Sequence, residues 1–137
     1  MRIMGVDFGD ARTGIAMSDI NGFLASPLVT IYENGLTRTA EEVARLAAEH
    51  SVKKIVVGLP KNMDGSSGSR VEKTYLFCEE LKKRFTGEII TSDERRTTVY
   101  ASNILNETNT RGKKRKQSID QLAAVLILQT YLDSTKL

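Results

Sequence analysis

Residues 3–18 read IMGVDFGDARTGIAMS, two short apolar runs joined by a polar turn bracketed by glycines, with Asp7 lodged in the first run. The turn Phe8-Gly9-Asp10-Ala11-Arg12-Thr13-Gly14 returns the chain as Ile15-Ala16-Met17, the pattern of an antiparallel hairpin with a glycine-containing loop. Asp7 is the anomaly. Ile3, Met4 and Val6 surround it with apolar neighbours, and a charge there is costly unless it is paired, hydrogen-bonded or bound to a cation. Two readings stand side by side: a carboxylate holding a metal near the open end of the first strand, or an Asp capping the turn backbone.

Outward from the hairpin, residues 24–31 (LASPLVTI) form a third strand that Pro27 assigns to a sheet edge. Thr39-x-x-Glu42 is a capping box opening a helix to about His50, with Ala40, Val43, Ala44 and Ala47 at helical spacing. Residues 54–60 contain IVVGLP, an apolar run suited to a parallel strand buried on both faces. Ser69-x-x-Glu72 caps a second helix carrying Val71, Tyr75, Cys78 and Leu81, with Gly87 placed to end it. A short strand over 88–92 has Asp93 at its C-terminal end, and helices follow over roughly 97–106 and 118–133, separated by a basic loop. Strands, then strand-helix alternation, then helices predict an α/β fold: a five-stranded mixed sheet with helices on both faces. The 137 residues suffice for one domain, 1–137, with a real core.

Composition narrows the chemistry. Hydrophobic residues at 40% and charged residues at 27% describe a globular chain. No apolar run approaches the ~20 residues of a membrane span, and the opening MRIMGVDFG enters a strand directly, so a cytoplasmic protein with no membrane contact is expected. Cys78 and His50 are each the only residue of their kind, which excludes a disulfide framework and a cysteine-rich zinc site. Cys78 falls at helical spacing and reads as packing. Any metal must then be held by oxygen, which favours Mg or Mn. Net charge is only +3, yet five of the six positions 111–116 are basic: Arg111, Lys113, Lys114, Arg115 and Lys116. Such a block is an electrostatic footprint for a polyanion, or else a solvated loop.

VDFGDARTGIA, GLPKNMDG, SDERRTT and IDQLAAVLILQTYL, in that order, resemble the four signature blocks of the YqgF/RuvX family, described as pre-16S ribosomal RNA nucleases or Holliday-junction resolvases. D-x-G followed by T-G-x-A is also similar to the first phosphate loop of actin-like ATPases, but those need two such domains. The letters D-F-G match protein kinases by chance, because the glycine-rich and catalytic loops that precede them there have no room here. The family resemblance implies a ribonuclease H-like fold. It carries Asp7, Asp93 and Asp120 over as metal ligands and catalytic residues. For Asp93 the alternative is a helix N-cap. For Asp120 it is a partner of the helix dipole in the first turn after a Ser118-x-x-Gln121 cap.

Glu94, Arg12, Arg95, Asn62 and Asp64 form a second tier. Glu94 is a further ligand or a dipole partner, the two arginines grip phosphates or tie loops to the sheet, and Asn62-Met63-Asp64-Gly65 is a substrate-side loop or a plain turn. The sequence departs from the family pattern at Arg96, where an apolar residue is usual, and at Gln121, where alanine is common. The expected function is an Mg- or Mn-dependent endonuclease processing the 5′ end of precursor 16S ribosomal RNA. Four-way DNA junction cleavage and a non-catalytic ribosome-assembly factor are the alternatives. Structured RNA is the favoured partner, branched DNA a possible one, and the protein a monomer or homodimer.

Overall fold

The computed structural model describes residues 1–59, 69–93 and 112–135; for Ser69, Asp93 and 112–120 it is the backbone that is described. The strands are β1 (Arg2–Asp7), β2 (Thr13–Ser18), β3 (Ala25–Ile31), β4 (Val52–Leu59) and β5 (Glu88–Asp93), and the helices are α1 (Leu36–Glu49), α2 (Ser69–Lys82) and α3 (Gly112–Ser134). They build a five-stranded sheet of order β3-β2-β1-β4-β5. The hairpin pairs β1 with β2 and β2 with β3 antiparallel, whereas β4 joins β1, and β5 joins β4, in parallel. Pro27 lies on the outer strand as expected. Ile15 pairs with Val29 and Ala16 with Pro27, so Leu28 is the extra residue of a bulge, where a missing N–H disturbs the ladder least.

Alternation along the strands creates two unlike faces. Met4, Val6, Ile15, Ile55 and Val57 point to one side and join Val43 of α1 with Phe77, Cys78 and Leu81 of α2 in the larger core. Ile3, Ala16 and Val56 point to the other and meet Ala124, Ile127, Leu128 and Leu132 of α3. Strand β4 is buried on both sides from Ile55 to Leu59, as its unbroken apolar run predicts.

Several local expectations are corrected. Helix α1 starts at Leu36, with Gly35 as N-cap, because Leu36 itself packs on the core; Thr39 Oγ1 donates back to the Gly35 carbonyl at 2.8 Å and caps nothing. In α2 the buried stripe steps through Val71, Thr74, Phe77, Cys78 and Leu81, which leaves Tyr75 half-exposed on the outside. Gly87 does not end α2, which stops at Lys82. A Cβ there would collide with the Lys53 carbonyl oxygen and the Phe85 ring, so glycine serves a close approach at the entry to β5. The last helix begins at Gly112, so Lys113 to Lys116 lie on helical backbone and not in a loop, and Ser118 and Gln121 sit beyond its first turn. The helix expected over 97–106 lies outside the described residues.

Candidate active site

Asp7 is the last residue of β1 and is half-buried. It shares a sheet face with Gly5, two residues back, whose missing side chain faces α3. Its pairing with Gly14, and that of Gly14 with Thr30, makes one row across three strands. On the other side Val6 pairs with Val57, which puts Gly58 next in line, and Gly58 pairs with Ser92 of β5. Asp7 therefore has glycine on either side in its row. The loop after it is held tightly. A Cβ on Gly9 would strike the Arg12 carbonyl oxygen, and buried Thr13 closes the turn through Oγ1 contacts to Gly9 N (3.4 Å) and O (3.5 Å). Phe8 stacks on Phe77 of α2 at 4.6 Å between centroids.

Helix α3 crosses this face antiparallel to β1. A Cβ on Gly5 would lie 2.7 Å from Leu128 Cβ and 2.8 Å from the Ala124 carbonyl oxygen, so glycine sets how closely the helix approaches. Positions 120, 124 and 128 form one helical stripe. Four helical residues rise about 6 Å, and two strand residues advance about 6.6 Å. Gly5 meets the stripe between Ala124 and Leu128, so a step of that size along β1 brings the Asp7 row against the turn around Ala124, with position 120 one turn further toward the start of α3. The seating is fixed at both ends by amides. Gln121 Nε2 donates to Thr30 Oγ1 at 2.9 Å, in the Asp7 row; Gln129 accepts from Ala25 N at 2.9 Å and donates to the Phe23 carbonyl at 3.0 Å, at the other end of β3.

Asp93 ends β5, paired with Leu59, at the same carboxyl edge of the parallel strands as Asp7. The row of Asp7 crosses Gly58 to Ser92, so Asp93 stands two strand spacings away, about 9.6 Å, and one residue, about 3.3 Å, further along. Among the described residues no three His, Cys, Asp or Glu gather into a metal-holding group. The donors available at this edge suit a hard divalent cation. The row offers a carboxylate between two glycines, while His50 C-caps α1 ahead of β4 and Cys78 is buried with its thiol pushed up to about 11 by that burial.

The second tier is only partly placed. Arg12 is half-buried and engaged in the loop beside Asp7. Glu94, Arg95, Asn62 and Asp64 lie outside the described residues, as does Arg111; Lys113, Lys114, Arg115 and Lys116 open α3. Sequence reasoning missed Arg70 and Lys73, which with Phe8, Gly9, Asp10 and Thr74 line a small recess between the Asp7 loop and the start of α2; Lys73 Nζ stands 3.3 Å from Asp10. It also took Gln121 for a cap. An isolated amide on a helix apolar nearly all round was the available signal.

A β3-β2-β1-β4-β5 sheet, an acidic residue at the end of β1 and a late helix laid over that strand define a ribonuclease H-like fold. Thermus thermophilus RuvC in complex with Holliday junction substrate superposes with a TM-score of 0.62 over 98% of this chain and 96% of its own, at 11% identity; the fowlpox virus Holliday junction resolvase bound to junction DNA gives 0.56 over 98% of each chain, at 13%. At those identities the likeness is one of fold. Residues 1–134 match the family described as RuvX, Holliday junction resolvase, and the chain belongs to that family. A Thermoanaerobacter pseudethanolicus relative named "Putative pre-16S rRNA nuclease" is 47% identical over 137 residues, covering 99% of each chain, and Clostridium tetani and Listeria monocytogenes relatives of the same name are 46% and 44% identical over 98% of this chain.

Proposed function

We propose that this chain is a divalent-cation-dependent endonuclease whose ligands are Asp7, Asp93 and Asp120. The observation that supports the reading is the seating of α3, which lies on β1 at Ala124 and Leu128 and is tied by Gln121, the residue after Asp120, to Thr30 in the row of Asp7. The three carboxylates would hold Mg or Mn, which when bound activates a water and neutralises charge on a phosphate undergoing in-line displacement. The chain's own residues supply the rest. Glycines flank Asp7 in its row, and Arg70 and Lys73 stand beside the loop that follows it, where they would meet a phosphate. The cations at 113–116 precede Asp120 on one continuous helix and attract the nucleic-acid backbone.

For substrate we favour the 5′ end of precursor 16S ribosomal RNA in the cytoplasm, the reading supported by the names of relatives at 42–47% identity over nearly the whole chain. Four-way junction cleavage is supported by the family description and by the junction-bound fold relatives, and it needs two sites related by two-fold symmetry. Among the described residues no helix is long and apolar enough to cross a membrane.

The test is Asp7→Asn, which keeps shape and removes ligand charge. Changes around a metal's ligands cost 10–100-fold, so loss of a ligand charge should lower Mg-dependent cleavage by at least ~100-fold with cooperative unfolding retained. Wild-type cleavage by the variant would sink the assignment. Precursor RNA spanning the mature 5′ end and a synthetic junction are compared with the same preparation, and symmetric nicking of the junction in preference to RNA would reverse the order of substrates.

A further inference from the structure

We propose that Gln121 is a positioning residue for the metal site, acting through Thr30 to fix where α3 seats Asp120 relative to Asp7; this rests on the ligand assignment above. The first turn of α3 is poorly self-stabilised. It contains no acidic residue, and Lys113, Lys114, Arg115 and Lys116 repel one another and oppose the partial positive charge of a helix N-terminus. The helix must therefore be held from further along. Gln121 is where a described side chain first ties it to the sheet, through the 2.9 Å bond from Nε2 to Thr30 Oγ1. That hydroxyl stands in the row Asp7–Gly14–Thr30, so the bond fixes α3 against the very row that presents Asp7. Asp120 is the preceding residue, and a shift of the helix by a fraction of a turn would carry its backbone along β1 relative to Asp7.

The second anchor gives an internal control. Gln129 ties the far half of α3 to Ala25 and Phe23, two turns away and at the other end of the same edge strand. If Gln121 served packing alone, breaking either anchor would do the same thing. If it positions Asp120, only the first will reach the metal.

The experiment measures Mn²⁺ affinity by calorimetry, together with cleavage and unfolding temperature, on the full chain. The variants are Gln121→Ala, Thr30→Val, their combination, Thr30→Ser, Gln129→Ala and Asp7→Asn. Gln121→Ala and Thr30→Val should each weaken Mn²⁺ binding about 10–100-fold, the usual cost of losing a group that orients a ligand. The double variant should be no weaker than either single, because both remove one bond. Thr30→Ser restores the hydroxyl and should bind as wild type does. Gln129→Ala should lower the unfolding temperature and leave Mn²⁺ affinity unchanged. Unchanged affinity in both Gln121→Ala and Thr30→Val, alongside a collapse in Asp7→Asn, overturns the positioning role alone. Unchanged affinity in Asp7→Asn overturns the site, and the positioning role with it.

Discussion

The two faces of the sheet are built from the same strands by opposite rules. Toward α1 and α2, β1 and β2 send Met4, Val6, Ile15 and Met17 into a core that Phe77 and Leu81 complete. Toward α3, the same strands present Gly5, Gly14 and Ala16, and the helix backbone itself comes down to the sheet. Polar groups follow the same division. The buried hydroxyls of Thr39 and Thr74 bond back into their own helices, to Gly35 and Arg70. On the α3 face the polar groups reach across instead: Gln121 to Thr30, Gln129 to Ala25, and Lys54 to Tyr131 at 2.9 Å. Volume is the stabilising variable on the first face, and distance is the controlled variable on the second.

That contrast can be broken from either side. Phe77→Ala empties the volume-filled face where Phe77 is fully buried against Phe8, and should cost about 3–5 kcal/mol of unfolding free energy. Denaturant titration checks this, and a loss under 1 kcal/mol would mean that the face collapses around the hole. Gly5→Ala adds one methyl where the nearest atoms are the Ala124 carbonyl oxygen and Leu128 Cβ, and should cost about 1–3 kcal/mol by overpacking. Here cleavage under folding conditions should fall more than stability does, since lifting α3 moves position 120; equal losses would show that close approach serves packing only.

The smallest effect belongs to Cys78. Its thiol is buried in the volume-filled face and pushed up from 9.0 to about 11 by loss of water. Between those values the unfolded chain has released the thiol proton and the folded chain keeps it, so stability falls as pH rises through this window. The slope is at most about 1.4 kcal/mol per pH unit. Unfolding free energies from pH 8 to 10.5 should therefore fall more steeply in wild type than in Cys78→Ala, and parallel curves would place water beside the sulfur.

The hairpin, the order of elements and the buried β4 were legible because each rests on periodicity within a dozen residues: alternation around Asp7, and the unbroken IVVGL of β4. The same local patterns misled where tertiary contacts decide. Thr39 and Glu42 spell a capping box, yet Leu36 finds the core and starts α1 a turn earlier. Lys113 to Lys116 look like a loop because four cations suit a helix start badly, and the tie that holds that helix joins residues 91 apart in sequence. Of the site, the carboxylates could be found through the family resemblance. What seats α3 on the sheet was less legible: glycine at position 5 has no signature of its own, and the amide at 121 shows only as an isolated polar residue on an apolar helix.

Among the described elements α3 is made after all the others, and this orders the birth of the fold. By the time β5 has been made, α1, α2 and all five strands exist, so the larger core can close. The other face still shows Ile3, Ala16 and Val56 to water, and the backbone N–H of Ala25 still lacks the partner that Gln129 will bring from 104 residues downstream. Closing so long a loop adds little entropy over a shorter one, since the cost grows only with the logarithm of length. Translation itself is the delay. A nascent chain thus carries all five strands with Asp7 in place before α3 exists, and the α3 side of the candidate site is added only once that helix has been made.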